Sequence, residues 1–162
     1  MAPPDVLFLE ELRSRISTAM ADDGVLEGVK RLKIGPSEEA LGGDDSAMPF
    51  INIDLVSGSM NPESPNNLRT ETLNVLVTLA CSKLASESNK LYKVADSTGA
   101  LYLFAALRNV IEKSTAGAID NGFDNTVQNF AVVDYRIAQN QFCVECQLNI
   151  SVKTHTFIAG GR

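Results

Sequence analysis

The sequence has 162 residues, of which 44% are apolar and 21% are charged, a length and composition typical of a single globular domain. These values exclude a disordered tail, a collagen and a small disulfide-rich scaffold. The 14 basic and 20 acidic side chains give a net charge of −6, the wrong sign for a protein that grips nucleic acid through its phosphates. Nucleic acid is therefore not expected as a tightly held ligand.

The N-terminal sequence is acidic with only a short apolar run, so it does not predict a secretory signal. No apolar stretch approaches the roughly 18 to 20 residues that cross a bilayer. Without a secretory route, Cys81, Cys143 and Cys146 are expected to be reduced thiols. We expect neither disulfides nor membrane contact to hold this fold.

The first elements in chain order are a helix and a short strand. Apolar residues at steps of three and four predict an amphipathic helix over residues 5–20. Leu32 and Ile34 lie on one side of a short strand predicted at 30–34. Residues 35–49 are rich in glycine, proline and acids, which predicts a polar loop.

Two alternating strands and the main helix follow. Residues 50–56 alternate apolar and polar side chains, as a half-buried strand does, and a second polar loop is predicted at 57–68. A Thr-rich strand is predicted at 69–81, paired to the preceding strand. Helical spacing of apolar residues predicts a long helix over 88–113, with Gly99 marking a kink, a split or close packing against the sheet.

The C-terminal segment has the clearest pattern in the sequence. Apolar and polar residues alternate without a break from 142 to 153, so a slip of one residue would bury every polar side chain. The strand is long enough to extend to 157, and 126–138 is its predicted hairpin partner, with Ala131, Val133, Tyr135 and Ile137 on one face. The last residues, 158–162, are predicted to be a short flexible tail.

The order of elements predicts an α+β fold: a mainly antiparallel sheet with a long C-terminal hairpin, and two main helices packed on one face. The whole chain, 1–162, is predicted to be one domain. The predicted core residues are Ile53, Val75, Val77, Leu101, Leu148 and Ile150.

Motifs that would carry chemistry are weak in this sequence. His155 has no partner motif, and the CxxC spacing of Cys143 and Cys146 places the two residues on opposite faces of a strand. Cys81 and Cys146 are interpreted as small core residues. The acidic loops lack the calcium-loop spacing, and Asn121-Gly122 is interpreted as a turn. We predict no catalytic, cofactor-binding or metal-binding residue.

Two alternatives stay open at this point. A small enzyme would need carboxylates gathered on the sheet, for which Asp54, Glu71 and Asp134 are the candidates. A long projecting hairpin with a polar face instead indicates a protein that works by assembling, because exposed strand edges need a partner or a neighbouring copy to cover them.

The order of elements resembles that of the tail terminator, or tail completion, proteins of tailed bacteriophages, the group that includes minor tail protein U of lambda-like phages. The resemblance rests on the leading amphipathic helix, the segment Pro-Phe-Ile-Asn-Ile-Asp at 49–54, the strand at 69–81, the helix ending in Leu-Arg-Asn-Val-Ile at 107–111, and the final hairpin closing in Lys-Thr-His-Thr-Phe at 153–157. It spans nearly the whole chain.

The resemblance implies a virion protein without enzymatic activity that forms a ring, typically of six copies, on the head-proximal end of the tail tube. Such a ring stops tube polymerisation, and its partners are the tail tube protein on one side and a head connector or neck protein on the other. The resemblance further implies assembly in the host cytoplasm and a lumen through which DNA passes without specific binding. The runner-up is another head-to-tail connector or neck completion protein.

The assembly interface is predicted from the loops and from the polar side of the last strand. The two loops at 35–49 and 57–68 lie where such proteins make ring or tube contacts. The predicted interface residues are Asp44, Asp45, Met60, Glu145, Gln147, Asn149, Lys153 and Phe157.

Overall fold

The fold is taken from a computed structural model, which describes residues 4–36, 49–61, 68–82, 99–121, 127–139 and 143–157. It contains two helices and five strands that form one mixed sheet, so the α+β class is confirmed. The predicted loop residues 37–48 and 62–67, the helix residues 88–98 and the tail 158–162 lie outside the described residues. The elements are α1 (Pro4–Met20), β1 (Arg31–Ile34), β2 (Phe50–Asn61), β3 (Leu68–Ser82), α2 (Ala100–Asn121), β4 (Val127–Gln139) and β5 (Cys143–Phe157).

The strands lie in the order β1-β2-β3-β5-β4. β1 pairs parallel with β2, whereas β2 with β3, β3 with β5, and β5 with β4 pair antiparallel. The sheet is therefore mixed, and the parallel strand at one edge departs from the predicted antiparallel pattern. β3 and β5 form the centre, and they pair over their whole lengths, from Leu68 opposite Phe157 to Ser82 opposite Cys143, without a bulge.

The core lies between the helices and one face of the sheet. Each helix presents an apolar stripe at helical spacing, Phe8, Leu12 and Ile16 in α1 and Leu103, Leu107 and Ile111 in α2. These side chains form one buried cluster with the alternate residues of β2, β3 and β5. Five of the six predicted core residues are buried, and Leu101 is the exception because it is only partly buried at the margin of the cluster.

Three element boundaries differ from the sequence-based predictions. β2 does not end at residue 56 but continues to Asn61, into the predicted loop, so residues 57–61 are strand. α2 begins directly after Gly99, whose carbonyl accepts a hydrogen bond from the Leu103 amide (2.9 Å). The same helix runs to Asn121, so the turn predicted at Asn121 is helical up to that residue.

A tight turn after α1 places a further apolar side chain, that of Leu26, in the core. Asp23 adopts a left-handed backbone conformation (φ 64°), and the Leu26 amide donates to the carbonyl of Ala19 (2.8 Å). Leu26 is fully buried as a result. A Cβ atom on Gly24 would lie 2.2 Å from the Ala19 carbonyl oxygen, so only glycine fits at this position.

We expect Gly24→Ala to lower the free energy of unfolding by about 1–3 kcal/mol, the usual cost of overpacking against atoms that cannot move aside. The matched control is Gly58→Ala in β2, where a Cβ would make only ordinary contacts, the nearest at 3.4 Å to Leu73. That control should be neutral or slightly stabilising. Urea unfolding of the two variants tests this, and equal stability of both would contradict the account of the turn.

Candidate assembly surface

The face of the sheet that points away from the helices carries four of the predicted interface residues. Glu145, Gln147, Asn149 and Lys153 follow one another at alternate positions of β5. Glu145 and Gln147 are half-buried, and Asn149 and Lys153 are exposed. We call this side of the sheet the polar face.

The polar face carries both positively and negatively charged side chains. Asn149 donates a hydrogen bond to the carboxylate of Asp134 on β4, which lies directly opposite it in the sheet. Four cations and three carboxylates are mixed on this face, so the acidic net charge of the chain is not concentrated here. By their register, the charged residues on this face are Arg31, Lys33, Arg136, Lys153, Asp54, Asp134 and Glu145.

One end of the polar face is buried, which the alternation of β2 did not predict. Asn52 and Thr78, directly opposite each other in β2 and β3, are at most 2% exposed. The Asn52 amide nitrogen donates to the carbonyl of Gly35 (2.9 Å), which ties the chain after β1 to β2. The Arg31 guanidinium lies 5.5 Å from the centre of the Phe50 ring and holds the other end of β1. This end of the face is closed to a partner.

The second half of β2 forms one open margin of the sheet. β1 pairs with β2 only from Phe50 to Ile53, and among the described residues no strand lies on the outer side of 54–61, whose inner side pairs with β3. A bulge between Leu55 and Ser57 leaves Val56 58% exposed, and Met60, a predicted interface residue, is 63% exposed. We call residues 54–61 the open half of β2.

The outer side of β4 forms the other margin. A bulge between Val132 and Asp134 turns Val133 into solvent, where it is 63% exposed, while Val132 packs against the core. The prediction that Ala131, Val133, Tyr135 and Ile137 share one face is therefore wrong. Tyr135 and Ile137 lie opposite Leu148 and Cys146 on the core side, whereas Ala131 lies opposite Ser151 on the polar face and Val133 is the bulged residue. Tyr135 is 56% exposed, although it is large and apolar in its ring.

A groove lies between β4 and α2, next to this margin. The Tyr135 ring contacts the Phe104 ring (5.9 Å between centroids), and the Arg108 guanidinium lies 5.8 Å from the Tyr135 ring centre. Arg108 also donates to Glu112 one helical turn further along (2.9 Å). These contacts fix the Tyr135 ring as one wall of an apolar groove of about 470 Å³, which Leu101 and Ile137 also line.

The remaining predicted interface residues are only partly defined. Asp44 and Asp45 lie outside the described residues. Phe157 ends β5 opposite Leu68, and His155 lies opposite Thr70.

The three carboxylates of the enzyme alternative are not brought together. Asp54 and Asp134 share one row of the sheet but are separated by Leu76 and Asn149 on the two strands between them. Three strand spacings correspond to about 14 Å. Glu71 is five residues further along β3, about 17 Å away, and occupies the opposite face. The register of the sheet therefore does not gather the acids that general acid–base chemistry would need.

The side chains that could ligate a metal do not cluster either. Within the described ranges, no group of three or more His, Cys, Asp or Glu residues is close enough to hold a metal ion. Cys81 and Cys146 are free thiols in the core, as interpreted from the sequence. Burial, and secondarily the negative charge of Glu145, raises the pKa of the Cys146 thiol to about 12.

Sequence reasoning named Met60 but missed the three other residues that are more than half exposed at the margins, namely Val56, Val133 and Tyr135. The signal for the bulges was a pair of adjacent valines in β4 and the pair Leu55-Val56 in β2. Two adjacent apolar residues break the period of two, and a bulge is one way to keep both flanking stretches in register.

Comparison with known proteins finds no relative: neither the scan against protein-family models nor the search of curated proteins returns a match. Of the helices that the structure describes, none is long and apolar enough to cross a membrane.

The raised pKa of Cys146 predicts a loss of stability in alkaline solution. Between about pH 9 and 12 the unfolded thiol releases its proton while the native thiol keeps it, so the native state binds more protons and the free energy of unfolding falls as pH rises. Relative to Cys146→Ala, the natural chain should lose up to about 1.4 kcal/mol per pH unit in this window. Urea unfolding of both proteins from pH 7.5 to 10.5 measures the difference, and parallel curves would contradict the assignment.

Proposed function

We propose that this chain is a structural subunit of a ring that caps the head-proximal end of a bacteriophage tail tube, where it stops tube polymerisation and provides the surface for head–tail joining. The proposal combines the resemblance in element order with the exposed margins of the sheet. We also propose that β4 and β5 act as a long C-terminal hairpin at the ring interface.

The observation that carries the proposal is the apolar surface at both margins of one sheet. Val56 and Met60 on one margin, and Val133 and Tyr135 on the other, are each more than half exposed. Soluble proteins usually protect an edge strand with charge, proline or a covering element. Apolar side chains clustered at an edge are instead typical of a surface that another protein covers.

A closed ring covers both margins with one kind of contact. In a cyclic assembly every subunit uses a heterologous interface, in which one patch meets a different patch of its neighbour. A chain with two dissimilar apolar margins supplies both patches. The rest of each subunit, including the polar face of β5 with Asn149 and Lys153, stays available for the tail tube protein, the head connector and the lumen.

The charge of the chain favours a protein that lets DNA pass without binding it over a protein that binds DNA tightly. The net charge is −6, and the cations of the polar face are mixed with carboxylates, as in the pair Asp134 and Arg136. A protein that holds DNA tightly presents a continuous basic surface to the phosphates. We therefore propose that DNA passes through the lumen without specific binding, in a virion assembled in the host cytoplasm.

The purified chain should form annuli and should stop the growth of tail tubes when it is added during their polymerisation. Light scattering after size exclusion, electron microscopy and tube-length measurement test this. The variant Val133→Lys places a charge on the β4 margin and should abolish both annuli and capping. Its control is Val25→Lys, which changes a valine that is 54% exposed in the turn after α1, away from both margins, and should behave as the natural chain does.

Binding to isolated components separates this function from the runner-up. A tail terminator should retain the tail tube protein in a pull-down, whereas a neck component should retain the portal side. A chain that stays monomeric, leaves tube length unchanged and retains neither component would contradict both.

A further inference from the structure

The sheet has a step in one of its margins. β1 occupies the position beside β2 only as far as Ile53, whose carbonyl accepts a hydrogen bond from the amide of Gly35 (3.0 Å). β1 ends at Ile34, and the same position beside the open half of β2 holds no strand in the part of the chain that the structure describes. This step is eight residues long, about 26 Å at the rise of a strand.

The opposite margin is a strand of sufficient length to fill that step. β4 has 13 residues and pairs with β5 on one side, and on its other side it meets no described strand. Protection against pairing is incomplete on both margins: each strand has a bulge and β4 carries Asp134 and Arg136, but Leu55–Asn61 contains no charged residue and β4 contains no proline.

Strand direction makes the two margins compatible. Three successive antiparallel pairings connect β2, β3, β5 and β4, so β4 runs antiparallel to β2 within one chain. Tyr135 lies in the same row of the sheet as Ile53, where β1 already occupies the place beside β2, so β4 of the next copy reaches the open half only when it is displaced along the strands by about four to six rows, roughly 13–20 Å. Strands tilted to the ring axis, as in a closed barrel, supply such a displacement between neighbours, and β4 then meets the next copy's β2 in the antiparallel sense. Antiparallel pairing of two strands is slightly more stable per residue than parallel pairing.

We propose that β4 of one copy pairs antiparallel with the open half of β2 in the next copy, so that the sheet continues from subunit to subunit. The inference rests on the proposed function only in taking a second copy of this chain as the occupant. The added strand would bring exposed apolar residues of β2, among them Met60, beside the groove formed by Tyr135 and Phe104. Main-chain hydrogen bonds supply the contact, and the groove receives alternate side chains of the added strand.

The chief competitor is a two-fold contact between the β4 strands of two copies. That arrangement is also antiparallel, and two-fold dimers are the commonest assemblies. It closes at two copies, however, and leaves Val56 and Met60 of the open half of β2 in water. Pairing β4 with β2 covers both margins, and for this reason we favour it.

Cysteine cross-linking on the polar face tests the pairing without touching the core. Asp134→Cys or Arg136→Cys on β4 is combined with Ser57→Cys or Ser59→Cys on the open half of β2, all exposed positions. The matched control replaces the serine partner with Asn74→Cys, which lies opposite Ser57 but one strand further from the margin. A disulfide spans at most about 7 Å between Cα atoms, so the control position is out of reach of the neighbour.

The background chain for these variants carries Cys143→Ser, and its remaining thiols at 81 and 146 are buried. After oxidation, at least one of the four pairs should give a ladder of cross-linked oligomers beyond the dimer in a non-reducing gel, and the control pairs should lose that ladder. Reduction should return every species to the monomer.

The failures of the two proposals are distinguishable. Annuli that form without a ladder from any of the four pairs would overturn the strand pairing and leave the ring intact. Cross-linking that stops at the dimer, or that a single cysteine on β4 produces alone, would overturn it in favour of the two-fold contact. A chain that forms neither annuli nor cross-links would overturn the pairing together with the ring.

Discussion

The pairing of β3 with β5 is the constraint on which the rest of the structure depends. The two strands match residue by residue over their full lengths, and both place alternate apolar residues, such as Val77 and Leu148, in the core. A shift of one residue would move every one of these side chains into solvent, so the register has a single favourable solution. The helices cover the apolar face of this pair, and the margins that we propose for contact with a partner lie on the strands added to it, β2 and β4.

The sequence predicted the two strands of this pair and the residues that each buries, because that information is local, but it did not predict that they pair with each other. In β5 an uninterrupted alternation from Val144 to Val152 specifies strand, face and register at once. The apolar stripes of α1 and of the described part of α2 were equally clear. The sequence did not decide where α2 starts relative to Gly99, and it did not show that Leu101 is only partly buried. Both depend on how the end of the helix meets the sheet, and the spacing of apolar residues along the chain does not encode this.

The margins were predicted less well, for a physical reason. A bulge inserts one residue into one strand and not into its partner, so its position is decided by the pairing and not by the pattern of either strand alone. The adjacent pairs Leu55-Val56 and Val132-Val133 indicate an irregularity, but only the register shows which residue of each pair is inserted. The burial of Asn52 and Thr78 on the polar face escaped prediction in the same way, since alternation alone assigns both to solvent.

Two of the three register shifts in the sheet, those after Leu55 and after Val132, occur at the same level, and this coincidence has a mechanical consequence. Leu55, Val75, Ile150 and Val132 form one row across four strands, and each outer strand inserts its extra residue directly after that row. A bulge bends its strand and increases the local right-handed twist. Two bulges in one row therefore bend both margins at the same height, while the central pair of strands between them stays regular. In a ring whose sheet continues between copies, the bend is concentrated where subunits meet, so that curvature is supplied at the interfaces and the packed core of each subunit need not deform.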